Sequence, residues 1–150
     1  MARIRPAVDD DMPQIGALHR AADYGDHGVD WTRPGLAPYW LVAERDGALV
    51  GALQYVTSQP CGYVLDIVVH PEARGTNADR AAAERGAIAD DVTTQLCLAA
   101  MFAMRRAGVQ CLIGVVGDAQ PLWQRVLEAH GGQRLGGRDA TYGLYAWRLS

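Results

Sequence analysis

Apolar positions along the chain switch between a period near two and a period near 3.6, and each switch marks a boundary between elements. Ile4 to Val8 reads as a short first strand running into the acidic stretch Asp9–Asp11. That stretch predicts a helix cap, with Pro13 in the first turn, where a missing N–H is tolerated. Ile15, Leu18 and Ala22 then recur at helical spacing and predict a helix over about 11–23. From Asp23 to Pro38 the chain is polar and rich in glycine and proline, a loop long enough to carry function. Trp40 to Glu44 and Ala48 to Thr57 read as strands joined by Asp46-Gly47, a strong signal for a hairpin turn. Beyond Gln59-Pro60, Gly62 to Val69 is an almost continuous apolar run interrupted by Asp66, as expected of a central strand covered on both faces.

The second half alternates differently. Ala78 to Arg85 predicts a short solvated helix, and Ile88, Val92, Leu96, Ala99 and Ala103 trace a stripe that ends at Arg105-Arg106-Ala107-Gly108. Basic residues followed by glycine mark a helix C-terminus. Counting back from there starts this helix near Asp90. Val109 to Val116 is another strand, Pro121 opens a helix with Leu122, Val126 and Leu127, and strands at about 133–135 and 141–148 close the chain. The order predicts an α+β fold: a central mixed, mostly antiparallel sheet of about six or seven strands with helices on it and at least one parallel crossover.

Composition narrows the class. The chain has 150 residues, 49% apolar and 21% charged, enough for one folded domain over 1–150 and no second core. Fourteen basic against seventeen acidic side chains leave a net charge of -3, which argues against a general nucleic-acid binder. Cys61, Cys97 and Cys111 are odd in number and lack close spacing, so neither a disulfide framework nor a zinc site is expected. Nor is any other metal: Asp23, Asp26 and His27 lack fixed ligand spacing. With no run of the roughly 18 apolar residues a membrane span needs, and no apolar core at the start, a cytoplasmic location is expected.

Three stretches carry a resemblance. Trp40-Leu-Val-Ala-Glu-Arg-Asp-Gly-Ala-Leu-Val-Gly51, Leu65-Asp-Ile-Val-Val-His-Pro-Glu-Ala-Arg-Gly75 and Val126-Leu-Glu-Ala-His-Gly-Gly132, in this element order, resemble the GNAT superfamily of acyl-CoA-dependent N-acetyltransferases. The second is the most specific. The resemblance implies a sheet splayed open between the strands at 63–69 and 110–116. It implies acetyl-CoA, or another acyl-CoA, as cosubstrate. The pantetheine arm would lie on the backbone of Ile67, Val68 and Val69, with the pyrophosphate near Arg74 and Gly75. The implied reaction is direct attack of a neutral amine on the thioester, aided by a base and by donors to the oxyanion. The acceptor would be a primary amine of a small molecule or protein.

The chain departs from the family pattern in two places. Asn77 and Asp79 stand where phosphate-loop glycines are expected, and about 76–89 reads as an insertion. Leu127 falls where many members carry a tyrosine acid. Two other readings therefore stay open: a binding or regulatory module that has lost CoA, and a related enzyme that modifies a nucleobase amine.

Asp66 is the first candidate base, because a carboxylate within an apolar strand costs free energy unless it is paired or reaches a cleft. By period two it should face the side of Val64 and Val68. Its structural alternative is an ion pair with an arginine. Glu44, on the hairpin strand, is the second candidate. Asp26, Trp31 and Tyr39, from the long polar loop, are candidates for acceptor binding, and Trp40 adds aromatic surface beside them. His70 reads as a strand-end residue making a backbone hydrogen bond. The aromatic closing strand, with Tyr142, Tyr145 and Trp147, suggests a possible homodimer surface.

Overall fold

The strands form where β-branched and aromatic residues alternate, and they assemble into one seven-stranded sheet. They are β1 (Arg3–Pro6), β2 (Trp40–Arg45), β3 (Ala48–Ser58), β4 (Cys61–Val69), β5 (Cys111–Gly117), β6 (Gly132–Gly136) and β7 (Tyr142–Leu149). Their spatial order is β1-β2-β3-β4-β5-β7-β6, and among the described residues only β4 and β5 run parallel. The computed structural model describes residues 2–22, 29–74, 91–117, 128–129, 131–136 and 142–149. The expected helix at 78–85, the insertion at 76–89 and most of the helix from Pro121 lie outside these residues.

Within the described residues the expected elements recur within one or two residues. Asp46 and Gly47 both have positive φ, 53° and 79°, as the two-residue hairpin turn demands. Helix α1 spans Met12–Ala21 and helix α2 spans Val92–Arg106. The Asp9–Asp11 stretch forms a 3-10 turn instead of a side-chain cap. The Asp11 carboxylate takes the Val8 N–H at 2.8 Å and the Arg5 guanidinium at 2.6 and 3.0 Å. Arg5 holds that carboxyl below its ordinary range. Helix α2 is capped by Asp91, whose carboxylate accepts from the Thr94 N–H at 2.9 Å and the Thr94 hydroxyl at 2.7 Å. It ends at Gly108 with φ +80°, where the Gly108 N–H reaches Arg105 O and the Val109 N–H reaches Met104 O. That pair of bonds is a Schellman stop.

The two helices cover opposite faces. Met12, Ile15 and Leu18 of α1 pack on Trp40, Val42, Ala52 and Val68, and Leu96, Met101 and Met104 of α2 pack on Leu41, Ala43, Leu53 and Val69. Successive residues of β2 thus enter different cores, which is why the central strands read as continuous apolar runs. Each large side chain fully buried here contributes about 1.5–3 kcal/mol.

Helix α2 lies close on β3 because Gly51 has no side chain. A Cβ there would stand 2.8 Å from Val92 Cγ1 and 3.1 Å from Leu96 Cδ1. Gly51→Ala should therefore lower the unfolding free energy by about 1–3 kcal/mol in urea titrations. An unchanged midpoint would mean that α2 can lift off the sheet without cost.

Candidate active site

The site begins with one extra residue. Gln54 pairs with Asp66 and Tyr55 with Val64, so Leu65 has no partner across the β3–β4 ladder. Such a bulge resets the alternation of side chains. Val64 packs against the α2-side core, whereas Val68 belongs to the α1-side core. The expectation that Asp66 shares a face with both is corrected: it shares the α1 face with Val68 only, because Leu65 absorbs one step of the period.

On that face Asp66 meets His19 of α1. His19 Nε2 lies 2.5 Å from Asp66 Oδ2, and His19 Nδ1 lies 2.9 Å from the Ile15 carbonyl oxygen, to which it donates. The ring is 1% exposed and the Asp66 side chain 32% exposed, so the imidazole is sealed in while the carboxylate reaches solvent. Asp66 Oδ1 has no partner among the described residues. Each ring nitrogen of His19 faces an acceptor, an arrangement that favours the protonated ring. Burial alone would push its pKa down, but the bonds to Asp66 and to the Ile15 carbonyl, with the Asp66 charge, outweigh burial and raise it. The partner of Asp66 is thus a histidine, not an arginine.

Aromatic rings fix the imidazole. His19 stacks on Trp31 with centroids 4.9 Å apart and meets Trp40 edge-on at 6.0 Å, and the two indoles stand 5.8 Å apart. Gly16 makes room, since a Cβ there would lie 2.5 Å from Trp31 Cδ1. These groups border a cleft of about 350 Å³ lined by His19, Val29, Trp31, Leu36, Trp40, Gln54, Leu65 and Asp66.

The sheet splits beside this cleft. The parallel ladder runs from Cys61 opposite Cys111 to Val64 opposite Gly114 and no further, although β4 continues to Val69 and β5 to Gly117. The His70 N–H donates to the Val50 carbonyl at 2.9 Å, the bond that flanks a non-hydrogen-bonded pair, here Gly51 and Val69. Antiparallel alternation then gives Val68 to the ladder with Ala52, and it turns the N–H and C=O groups of Ile67 and Val69 toward the gap.

The remaining candidates fall elsewhere. Trp31 is in the cleft wall. Tyr39 is 48% exposed on a 3-10 turn and does not line the cleft. Glu44 does not line it either; it accepts from Arg5 Nε at 3.1 Å, beside Asp11. Arg74 is exposed just past β4. His70 caps its own turn, its Nδ1 accepting from the Glu72 N–H at 3.3 Å. Asp26 and Gly75 lie outside the described residues. Among those residues no group of three or more metal-ligating side chains forms.

Sequence reasoning passed over His19. Its signal was available: it lies four residues after Ile15, on the apolar stripe of α1. A polar ring on a buried stripe needs a partner, and only the fold shows that the partner comes from residue 66.

A model of the Acetyltransferase (GNAT) family matches residues 6–84. No curated protein sequence matches the chain significantly. Among solved structures, the chain is similar to N-acetylglutamate synthase from Neisseria gonorrhoeae, complexed with coenzyme A and N-acetyl-glutamate, at 18% identity and TM-score 0.69. That match covers all of this chain but 35% of the synthase, so the chain spans about a third of that protein's length. PaiA N-acetyltransferase from Thermoplasma acidophilum, in complex with coenzyme A, matches at 13% identity and TM-score 0.68 over 99% of each chain. An N-acetyltransferase from Staphylococcus aureus Mu50 matches at 16% identity and TM-score 0.64, over 100% of this chain and 98% of that one. These likenesses establish the fold.

The His19–Asp66 contact has a pH signature. His19 in the folded state lies above its ordinary value of about 6.5, so its stabilising contribution is complete below that value and fades as pH rises through the raised one. The stability advantage of the wild type over Asp66→Asn should therefore be largest on the mildly acidic side and shrink with rising pH. Urea midpoints across the range, with imidazole resonances followed by NMR, check this. Parallel stability profiles for the two proteins would remove the ion pair.

Proposed function

The chain belongs to the GNAT family of acetyltransferases, and from that premise we propose that it moves an acetyl or related acyl group from an acyl-CoA to a primary amine of a small molecule or protein. One observation carries the reading. A carboxylate with an unengaged oxygen stands two residues past the point where β4 leaves β5. The amine and the acyl donor would meet there, one from the α1-side cleft and one from the split.

The open N–H and C=O groups of Ile67 and Val69 fit an extended arm bearing amides, which would pair with them as an added strand does. Val68 supports the gap from the other side and leaves the donor-binding set. Arg74 supplies an exposed cation for phosphate oxygens. The N-terminus of α2 is partly engaged by the Asp91 carboxylate, which accepts from the Thr94 N–H. Bound there, an acyl-CoA supplies a thioester carbonyl activated toward amines.

Asp66 is the base of this proposal. Its Oδ1 would accept the proton released as the amine nitrogen bonds to the acyl carbon and the thioester C–S bond breaks, with the CoA thiolate leaving and taking its proton from solvent. His19 never reaches the substrate. It holds Oδ2 and leaves Oδ1 to the cleft that Asp66 lines. Glu44, engaged by Arg5, has no part in the transfer. The free thiols of Cys61, Cys97 and Cys111 support a reducing, cytoplasmic setting.

Calorimetry with acetyl-CoA tests the donor site, and absence of binding near millimolar ligand would refute the function. Asp66→Asn should lower the transfer rate by about 10²–10⁴-fold with donor affinity preserved. Arg74→Ala should weaken acetyl-CoA binding about tenfold through loss of one charge-assisted contact, and an unchanged affinity would place the phosphates elsewhere.

A further inference from the structure

We infer that the acceptor is a small primary amine on a flat apolar body that bears no carboxylate, an inference resting on the reading of the Asp66 cleft as the acceptor site. The walls show the body. Trp31 stands half-buried in the cleft wall, and Trp40, 3% exposed, braces it at 63°. Leu65, pushed out of the ladder by the bulge, is 57% exposed along the same cleft, and Val29 is 40% exposed. Large apolar side chains held open to water beside a carboxylate form a surface that an apolar ligand would cover. The aromatic wall is built in, because a helix position is given to glycine so that Trp31 can lie against α1.

Charge shows the head group. The polar groups among the described lining residues are Asp66, Gln54 and His19. His19 is buried and committed to Asp66 and Ile15, so it offers no counter-charge to a ligand. Among the described residues that line the cleft there is no lysine or arginine. An ammonium group therefore finds a partner at Asp66 Oδ1. A carboxylate on the same molecule would meet apolar walls and a like charge, which costs free energy twice.

A matched pair of probes isolates the carboxylate: 2-phenylethylamine and L-phenylalanine share a body and an amine. L-Glutamate and a short peptide with a free N-terminus widen the comparison. Binding to the full chain is measured by calorimetry with and without CoA, and acetyl transfer by thiol release. The expected result is a kcat/KM for phenylethylamine at least about tenfold above that for phenylalanine, with tighter binding in the same order. Leu65→Ser, at an exposed position, should weaken phenylethylamine binding by about tenfold. Phenylalanine, glutamate or the peptide accepted or bound as well as phenylethylamine would overturn the inference, as would no binding of phenylethylamine in either condition. Phenylethylamine bound but never acetylated, with acetyl-CoA also failing to bind, would instead refute the transferase reading and uphold the chemistry of the cleft.

Discussion

Backbone N–H and C=O groups inside a protein must be paired, and the parting of β4 from β5 leaves a row of them without a strand to meet. Four residue pairs hold the two strands together, and beyond Val64 and Gly114 each follows its other neighbour. Everything of chemical interest gathers at that divergence. The groups at Ile67 and Val69 open there, the bulge sits at its apex, and Asp66 follows one residue later. A sheet closed through its length would pair the backbone of Ile67 and Val69 and leave no opening beside this carboxylate.

The bulge and the divergence act together. An extra residue in β4 bends the strand and exchanges the faces of the residues beyond it. Leu65 goes to solvent, Asp66 to the α1 side, and Ile67 to the α2 core. Without it Asp66 would be placed among the methionines and leucines under α2, a position too costly for an ionised carboxyl. With it the carboxylate has water on one side and His19 on the other. The imidazole in turn depends on Trp31, and Trp31 on the missing side chain of Gly16, so the chain of support runs from helix α1 to the Asp66 carboxylate.

Local physics made most of the fold legible in the sequence. The hairpin at Asp46-Gly47, the stop at Gly108 and the alternating strands follow from torsional preferences and short-range periodicity. The acidic start of α1 was legible as an entry point but not in its bonding, because Arg5 from β1 draws Asp11 away from the helix. In the site, Asp66 stood out as a charge within an apolar run. Its face could not be read, since one unmatched residue inverts a period of two, and whether a residue is unmatched depends on the neighbouring strand. Glu44 was legible as a second candidate, but not that the pairing of β1 with β2 brings Arg5 beside it.

By itself the sequence determined the elements, their order and the family to which they point, because each rests on contacts between residues close along the chain. The tertiary structure alone decided which carboxylate serves the cleft, which partner it has and which walls surround it. His19 and Asp66 are 47 residues apart, and their 2.5 Å contact arises only where α1 lies across the sheet. Pairing at such separation is set by packing of whole faces, and no local pattern encodes it.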